Sequence, residues 1–273
     1  MTESWAPGDA RLPLGDRMKQ YEAAAEHRLD PGATIVLRLD GHGFSKFTAN
    51  FARPFDQRIH DAMVGTCSDL LSHFAGATLA YTQSDEITLV FPHGTGVFNE
   101  RVQKIVSLAA SYTSVRFNAH LSAAVAASPR PPVKNPDKTM GSAYFDGRLF
   151  AVPSVEEALN CVIWRCRGDA IRNSVSSFAR TAFSTKQLEG KTTTDKLRMM
   201  EEEKGIVFKD AVPPWAIEGT IIKREQHEVE GYNGKTGQRE TSLRTRAKAA
   251  DRGVTVFNEE NLKLVTDKYW GLN

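Results

Sequence analysis

Acidic residues stand at the ends of short hydrophobic runs in the first third of the sequence. Asp40 directly follows an aliphatic run, and Asp85 and Glu86 separate two further runs of strand-forming residues. If these runs are neighbouring strands, the carboxylates converge, and two of them about 4 Å apart repel by on the order of 4 kcal/mol at an effective dielectric constant of about 20. Such a cluster requires a proton or a cation, and hard oxygen ligands select Mg²⁺. Two Mg²⁺ ions here would activate an attacking oxygen and stabilise a departing pyrophosphate.

The residues after Asp40 have the features of a phosphate-binding turn. The stretch 41–47 contains two glycines and leads towards a predicted short helix, where backbone N–H groups can surround phosphate oxygens. Arg53 then precedes Pro54, which places a guanidinium in a rigid turn, an arrangement suited to a triphosphate. The alternative interpretation is that Asp40 caps the next segment and that Asp85 belongs to a polar turn. The glycine turn and Arg53 favour nucleotide binding over this alternative.

The elements that position these residues are predicted from hydrophobic spacing. Apolar residues form short runs in the strand-like segments and recur every three or four residues in the helical ones. In chain order the segments are a strand at 34–39, a helix at 55–74, hairpin strands at 78–82 and 87–91, a helix at 97–113 and a strand at 120–127. This β-α-β-β-α-β order predicts an α+β fold, a ferredoxin-like polymerase palm with an antiparallel sheet and two helices over one face. In such a palm the strand ending at Asp40 lies beside the hairpin that carries Asp85 at its tip.

The second half of the chain is predicted to be a mainly helical extension. The remaining segments are expected to be a loose arm at 1–13, a helix at 18–27, strands at 145–152 and 220–223, helices at 155–183 and 194–204, and a flexible basic stretch at 231–252. Thr193 or Thr194 is the predicted N-cap of the helix at 194–204. We therefore divide the chain into a palm-like catalytic domain, 1–153, and a helical and basic C-terminal region, 154–273, packed on the palm.

The composition is that of an ordinary globular protein, with 41% hydrophobic and 25% charged residues among 273, and it excludes disordered and collagen-like chains. Three cysteines without a C-x-x-C spacing favour free thiols in a reducing compartment. No apolar run approaches the roughly 20 residues needed to cross a bilayer, and the N-terminus lacks a signal-peptide pattern. We therefore expect a cytoplasmic protein with no membrane partner. The net charge of +2 is too small to decide on a nucleic-acid partner.

The motifs around the acidic residues resemble, in their order, those of the tRNA(His) guanylyltransferase superfamily, whose members add nucleotides to RNA 5′ ends in the 3′ to 5′ direction. The likeness covers roughly residues 15 to 225. Its motifs are RLDGHGFSKF at 38–47, FARPFD at 51–56, QSDE at 83–86, FDGR at 145–148, Trp164-Arg165, and the stretch from Lys204 to Gly219. Any one of these motifs is weak, but their ordered combination is specific.

This resemblance implies a palm related to ordinary polymerases, two Mg²⁺ ions, and a homotetramer that acts on tRNA with ATP and GTP or other nucleoside triphosphates. The metal ligands it implies are Asp40, the Gly41 carbonyl and Asp85, with Glu86 as an acidic catalytic neighbour. The nucleotide contacts it implies are Gly41, His42, Gly43, Phe44 and Ser45 in the turn, and Arg53, Asp56 and Ser84 around the triphosphate. The implied reaction is activation of the RNA 5′-phosphate by ATP or GTP, followed by attack of a nucleoside triphosphate 3′-hydroxyl.

One departure from the family pattern is informative. Eukaryotic members carry a His-x-Asn-Asn type motif in the long helix after Trp-Arg, whereas this chain has Ala170 where that histidine would stand. This is similar to the bacterial and archaeal, Thg1-like branch, which implies template-dependent repair of truncated tRNA 5′ ends. Asp169, Arg172 and Asn173 lie on the same helix and either bind nucleotide or RNA or form a structural polar network.

Two other functions fit parts of the sequence. A nucleotidyl cyclase or dinucleotide synthase would use the same palm and carboxylates without RNA. An RNA-binding module that has lost its chemistry is the second, but Asp40 and Asp85 argue against it, because acidic groups beside phosphate weaken RNA binding. Basic residues between Arg239 and Arg252 are candidates for RNA phosphate contacts. His60 and His73 are expected on a helix surface.

Overall fold

The computed structural model describes residues 12–235 and 237–271, so most of the predicted arm at 1–13 lies outside the described residues. The strands are β1 (Thr34–Gly41), β2 (Leu79–Gln83), β3 (Glu86–Phe91), β4 (Phe145–Val152), β5 (Thr220–Asn233) and β6 (Gln238–Ala250). The helices are α1 (Leu14–Ala24), α2 (Phe44–Thr48), α3 (Gln57–His73), α4 (Val102–Ala127), α5 (Pro136–Thr139), α6 (Val155–Trp164), α7 (Ile171–Ala182), α8 (Thr185–Leu188), α9 (Thr193–Lys204), α10 (Phe208–Ala211), α11 (Pro214–Glu218) and α12 (Glu259–Thr266). Over these ranges no helix is both long enough and apolar enough to cross a membrane.

The strands of the described ranges form a six-stranded sheet in the order β4-β1-β3-β2-β5-β6. Its first four strands form an antiparallel palm sheet, in which β1 pairs with both β3 and β4, and β3 pairs with β2. Helices α3 and α4 cover one face of the sheet, and α6 and α12 cover the other. The predicted α+β, ferredoxin-like palm is confirmed.

The alternation of side chains along β1 determines where Asp40 lies. Leu37 and Leu39 are fully buried in the core beneath α3 and α4. Val36 is buried in the core on the opposite face, beneath α6 and α12. Because successive strand residues point to opposite faces, Arg38 and Asp40 share the face of Val36. Asp40 therefore lies at the end of the strand on the α6 side.

The second palm helix is longer than predicted, and the fourth palm strand lies later in the chain. The sequence predicts a helix at 97–113 and a strand at 120–127, but α4 is one continuous helix from Val102 through both segments. Its buried residues continue at four-residue spacing: Ile105, Ala109, Thr113, Phe117 and Leu121. The alanine-rich end of α4 has high helix propensity, which outweighs its short apolar run. The fourth palm strand is β4, a segment predicted as a strand but assigned no place in the palm.

The basic stretch predicted to be flexible at 231–252 is instead largely a strand in a long hairpin. β5 and β6 pair antiparallel along their length, and β6 is exposed over nearly all of it. Backbone hydrogen bonds and cross-strand ion pairs such as Arg246 with Glu225, 2.8 Å apart, hold this hairpin rather than burial. A strand that is solvated on both faces shows no apolar alternation, which is why its sequence resembles a loop.

The long helix predicted at 155–183 is confirmed as α6, a π-helical turn at Arg165–Ala170, and α7. The prediction of the N-cap of α9 is wrong by one residue. Thr192 caps this helix, because its hydroxyl accepts from the Asp195 N–H while the Asp195 carboxylate accepts from the Thr192 N–H. In this reciprocal pair the N-cap residue stands three positions before Asp195. Thr193 and Thr194 stand two positions and one position before it, so neither can form the pair.

Two cations of β5 hold the sheet to the helices on either side of it. Lys223 is 1% exposed, and burial lowers its pKa to about 8. Its ammonium donates to the backbone carbonyls of Thr78 at 3.0 Å, Leu264 at 2.7 Å and Asp267 at 2.5 Å. The guanidinium of Arg224 donates to the carbonyls of Leu71, Phe74 and Ala77. These donors satisfy carbonyls at and beyond the C-terminal ends of α12 and α3, where helices leave acceptors unpaired.

Lys223→Met is expected to lower the free energy of unfolding by about 3 kcal/mol, because methionine keeps the aliphatic volume but leaves three buried carbonyls without a donor. Urea denaturation followed by circular dichroism measures this loss. The control is Lys248→Met on β6, where the lysine is 51% exposed and a change below about 0.5 kcal/mol is expected. Equal unfolding free energies for Lys223→Met and wild type would show that these hydrogen bonds do not hold β5 in place.

Candidate active site

Asp40 and Asp85 meet where β1 and the β2–β3 hairpin end. Asp40 is paired in register with Glu86, the first residue of β3. The next residue, Gly41, donates its N–H to the Asp85 carbonyl at 3.0 Å. Asp85 occupies the two-residue turn of the hairpin after Ser84, whose φ of 56° is left-handed. The backbone thus brings together the two carboxylates that the sequence places on separate strands.

The environment of these two carboxyl groups opposes their ionisation. Burial raises the pKa of Asp40, and the Asp146 carboxylate opposite it on β4 raises it further. Burial also raises the pKa of Asp85, and the charge of Asp40 adds to the effect. Among the described residues, neither carboxylate has a basic group within ion-pair distance. Two close carboxylates that lack a direct counter-ion create a site suited to a cation.

This pair fits a divalent cation that is shared with a substrate. In the described part of the chain, no group of three His, Cys, Asp or Glu residues could hold a metal ion alone. Mg²⁺ is usually held by only one or two carboxylates, with waters and substrate phosphates completing its shell. The Gly41 carbonyl is the additional ligand implied by the family resemblance. A side chain at Gly41 would collide with the ring of Phe44, which accounts for the glycine.

Glu86, the third predicted catalytic carboxylate, is paired with two arginines. One of its oxygens forms a salt bridge with Arg165, and the other lies 3.4 Å from the Arg38 Nε. Arg165 also pairs with Asp169, whose other oxygen lies 2.5 Å from Arg172. We call this chain of five residues the arginine ladder. It joins β1 and β3 to the long helix, so Glu86 anchors the ends of these two interior strands instead of presenting a free carboxylate.

The arginine ladder bears on the two interpretations left open for the long helix. Asp169 and Arg172 form the polar network, while Asn173 lines a cavity beside Asp85. Arg165 and Asp169 both lie in the π-helical turn, a distortion that often occurs at functional sites. Of Asp169, Arg172 and Asn173, only Asn173 lines the cavity, so its position alone supports direct contact with a nucleotide.

A cavity of about 360 Å³, which we call the Asp85 cavity, opens between the 44–56 segment, the hairpin turn and helices α7 and α11. This volume lies within the range of roughly 300–1,000 Å³ that is typical of small-molecule sites. The predicted site residues that line it are Phe44, Ser45, Arg53, Asp56, Ser84, Asp85 and Asn173. Asp40 is not in the wall of this cavity, but the next residue, Gly41, is hydrogen-bonded to Asp85, which is.

Asp56 lines the Asp85 cavity, but the loop around it occupies both of its oxygens. One oxygen accepts from the Ala52 N–H at 2.9 Å and the Arg58 Nη2 at 2.6 Å, and the other from the N–H and Nε of Arg58. Burial opposes ionisation, yet the hydrogen bonds from Arg58 lower the pKa of Asp56 below its ordinary value. As an ionised group it would repel a triphosphate. Its contacts therefore favour a role in shaping the loop that carries Arg53 over the direct triphosphate contact predicted from the sequence.

Other residues of the Asp85 cavity carry no signal in the sequence. His60 stacks on Trp215 of α11, with ring centroids 4.2 Å apart. The His60 side chain is only 9% exposed, so the prediction of a surface position is wrong, whereas His73 is exposed as expected. Ser177 and Arg180 reach the cavity from α7. These residues meet only after distant helices pack, which no local spacing could indicate.

The turn after Asp40 divides its residues between two cavities. Phe44 and Ser45 line the Asp85 cavity, whereas His42 and Gly43 line a second cavity that shares no residue with the first. Gly43 is left-handed, with a φ of 65°, and precedes α2. The residues predicted as one nucleotide contact therefore face two different spaces.

A ferredoxin-like palm with paired aspartates beside a nucleotide-sized cavity defines a nucleotidyltransferase of the polymerase-palm class. The comparison with known families agrees with this class. Residues 15–153 match the family model of Thg1, tRNAHis guanylyltransferase. The chain belongs to this family, which consists of enzymes that transfer nucleotides in tRNA processing.

Similar proteins extend the match beyond the palm. An uncharacterized protein of Acanthamoeba polyphaga mimivirus is 33% identical over 96% of this chain and 91% of its own. The tRNA(His) guanylyltransferase of Neurospora crassa is 26% identical over 93% of this chain and 91% of its own. Among solved structures, a bacterial tRNA(His) guanylyltransferase (Thg1)-like protein in complex with ATP is 30% identical, with a TM-score of 0.69, over 89% of this chain and 94% of its own. The likeness therefore covers the C-terminal region as well as the palm.

Proposed function

We propose that this chain is a template-dependent 3′–5′ nucleotidyltransferase that adds nucleotides to the 5′ end of tRNA, in 5′-end repair or G addition. The observation that carries the proposal is the meeting of Asp40 and Asp85 at the edge of the Asp85 cavity. Family membership supports a tRNA substrate, and the ATP complex of the bacterial relative supports nucleotide binding at this fold. Ala170, which replaces the histidine of the eukaryotic motif, supports the repair activity.

The proposed reaction has two transfers. First, an oxygen of the RNA 5′-monophosphate attacks the α-phosphate of ATP or GTP, pyrophosphate leaves, and the RNA 5′-phosphate becomes joined to the nucleoside monophosphate through a phosphoanhydride bond. Second, the 3′-hydroxyl of an incoming nucleoside triphosphate attacks the activated 5′-phosphate, and the nucleoside monophosphate leaves. The new 5′ end then carries the triphosphate of the added nucleotide. An RNA that already has a 5′-triphosphate needs no activation.

The side chains around the Asp85 cavity suit each part of this chemistry. Arg53 and Arg180 supply positive charge for the triphosphate, and the hydroxyls of Ser45 and Ser84 can donate to its oxygens. Asp40 and Asp85 would hold two Mg²⁺ ions, which when bound neutralise charge on the non-bridging phosphate oxygens. Stacked His60 and Trp215 provide an apolar wall for a base.

Two further parts of the proposal concern assembly and RNA binding. The homotetramer stays a prediction from the family resemblance. The basic hairpin of β5 and β6 is proposed to contact RNA phosphates, and Arg239 and Arg244 are exposed on it. Arg246 and Lys248 are paired with Glu225, which reduces the charge they can offer to RNA.

The test of this function is incorporation of labelled GTP onto defined tRNAs that lack a 5′ nucleotide and carry a 5′-monophosphate. We expect incorporation that requires ATP or GTP for activation and follows the template base opposite the added position. With a 5′-triphosphate tRNA, incorporation should proceed without activation. A cyclic or linear dinucleotide product from triphosphates alone, with no RNA labelled, would reject the proposal in favour of a cyclase or dinucleotide synthase.

Arg53→Ala is expected to raise the apparent KM for the nucleoside triphosphate by about tenfold, because one charge-assisted contact to phosphate is worth roughly 1.5–3 kcal/mol. Arg53 is exposed and forms no salt bridge among the described residues. The Tm of the Arg53→Ala variant should therefore equal that of wild type. The control is Arg198→Ala, an arginine on α9 that is 63% exposed. Unchanged KM values for Arg53→Ala would reject its assignment to the triphosphate.

A further inference from the structure

The second cavity, of about 510 Å³, lies beside the active site but is built from other residues. One wall is the turn after Asp40 with helix α2, which contributes His42 and Lys46, and the other is the loop at 135–144. We call it the Tyr144 cavity. None of its lining residues carries a carboxylate.

The backbone places this cavity directly beside the candidate metal ligands. His42, one residue after Gly41, donates its N–H to the Tyr144 carbonyl at 2.9 Å. The next residue, Phe145, begins β4 and is paired with Gly41 in the sheet. A ligand in the Tyr144 cavity therefore lies on the other side of the same turn that contributes Phe44 and Ser45 to the Asp85 cavity.

The side chains of the Tyr144 cavity have the chemistry of a nucleotide site. The rings of His42 and Tyr144 are stacked, with centroids 4.9 Å apart and planes at 21°. Tyr144 is nevertheless 55% exposed, so a base can lie against the stacked pair. Lys46 and Lys138 are exposed and have no acidic partner among the described residues. An aromatic platform with free lysines is how proteins bind single-stranded nucleic acid.

The walls of this cavity are held in place before any ligand binds. The Lys134 N–H donates to the Asn50 carbonyl at 2.9 Å, which joins the loop to the end of the α2 segment. The Thr139 hydroxyl donates to the Lys134 carbonyl at 3.0 Å. The Asn118 amide, on α4, donates to the Ala143 carbonyl at 2.7 Å and supports the residue before Tyr144. The cavity is thus preorganised, a feature that lowers the entropy lost on binding.

We propose that the Tyr144 cavity binds one unpaired nucleotide of the RNA substrate, with its base against Tyr144 and His42 and its phosphate within reach of Lys46 and Lys138. This inference rests on the proposed function. The absence of carboxylates from its lining favours an RNA nucleotide over a free triphosphate, because a triphosphate brings Mg²⁺ and the wall offers no acidic ligand for that ion.

The test compares RNA and ATP affinity in the full-length protein. RNA affinity is measured by fluorescence anisotropy of a 5′-monophosphorylated, truncated tRNA labelled at its 3′ end, and ATP affinity with a fluorescent ATP analogue. We expect Tyr144→Ala to weaken RNA binding about tenfold, because stacking of one base is worth roughly 1–3 kcal/mol, and to leave ATP affinity unchanged. Tyr144→Phe keeps the ring and should bind RNA like wild type. Lys138→Ala should reduce the salt slope of RNA binding by about 0.7–0.9, the value for one phosphate contact.

The control is Tyr21→Ala, a tyrosine that is 63% exposed on α1 and lines neither cavity. Loss of ATP affinity in Tyr144→Ala would assign the cavity to a free nucleotide and overturn the proposal, as would unchanged RNA affinity in both Tyr144→Ala and Lys138→Ala. The nucleotide-addition assay on wild type separates the two claims. If wild type adds nucleotides and both Tyr144→Ala and Lys138→Ala bind RNA normally, this site fails and the function stands. If Tyr144→Ala weakens RNA binding but wild type adds nothing, the function fails and the site stands.

Discussion

Asp40→Asn and Asp85→Asn will each lower the rate of nucleotide addition by roughly 100-fold or more, the size of effect seen when one group that stabilises transition-state charge is removed. Asparagine keeps the size of the side chain but lacks the negative charge that holds a cation. The rate is measured as labelled GTP incorporated onto a truncated 5′-monophosphate tRNA at saturating ATP. Asp210→Asn, an exposed residue of α10, is the control and should retain wild-type activity.

The stability of these variants separates lost chemistry from lost structure. Burial raises the pKa of both carboxyls, with the charge of Asp146 adding to it at Asp40 and the charge of Asp40 adding to it at Asp85, so the folded state disfavours their charged forms. Neutral asparagine relieves that strain, so the Tm of Asp85→Asn should equal or exceed that of wild type. Retention of more than about a tenth of the wild-type rate in either variant would contradict a site in which the two carboxylates act together on metal ions.

Arg165→Met will lower the free energy of unfolding by about 3 kcal/mol, because it removes the arginine shared by two largely buried carboxylates and leaves each with a single arginine partner. The side chains of Glu86 and Asp169 are only 12% and 13% exposed, so neither can be solvated in place of the guanidinium. Chemical denaturation of the intact chain measures the loss. Activity should fall as well, because the arginine ladder fixes β3 and the long helix beside Asp85.

A second variant tests whether the lost charge pairing is the cause. Adding Glu86→Gln to Arg165→Met removes one of the stranded charges and should recover part of the lost stability. Arg172→Met, at the outer end of the ladder and 62% exposed, should change stability by less than about 0.5 kcal/mol. If Arg165→Met and Arg172→Met were equally stable, the ladder would be a surface feature without influence on the site.

Three of the four palm strands could be predicted in place from the sequence because their signals are local. The aliphatic run before Asp40 and the two runs around Asp85 each form a strand within two residues of the predicted ends. The topology rule for this order of elements then places the two aspartates together. Four motifs of the family resemblance, at 38–47, 51–56, 83–86 and 145–148, agree with this arrangement, since they lie at strand ends or turns.

The features that escaped prediction depend on contacts between distant parts of the chain. Glu86 has the same residue type as a metal ligand, and only the packing of the long helix against β3 shows that Arg165 neutralises it. The stacking of His60 on Trp215 likewise needs α11 to reach α3. The exposed hairpin is held by pairing rather than burial, so hydrophobic spacing cannot reveal it. The division of the turn after Asp40 between two cavities is visible only in three dimensions.

The most direct measurement of the central claim is a crystal structure of the protein soaked with Mn²⁺ and a non-hydrolysable ATP analogue, with anomalous scattering used to locate the metal. We predict an anomalous peak bonded to carboxylate oxygens of both Asp40 and Asp85, with the triphosphate of the analogue completing its coordination in the Asp85 cavity. A peak held by other carboxylates such as Asp146, or an analogue bound with no metal between these two aspartates, would contradict the account.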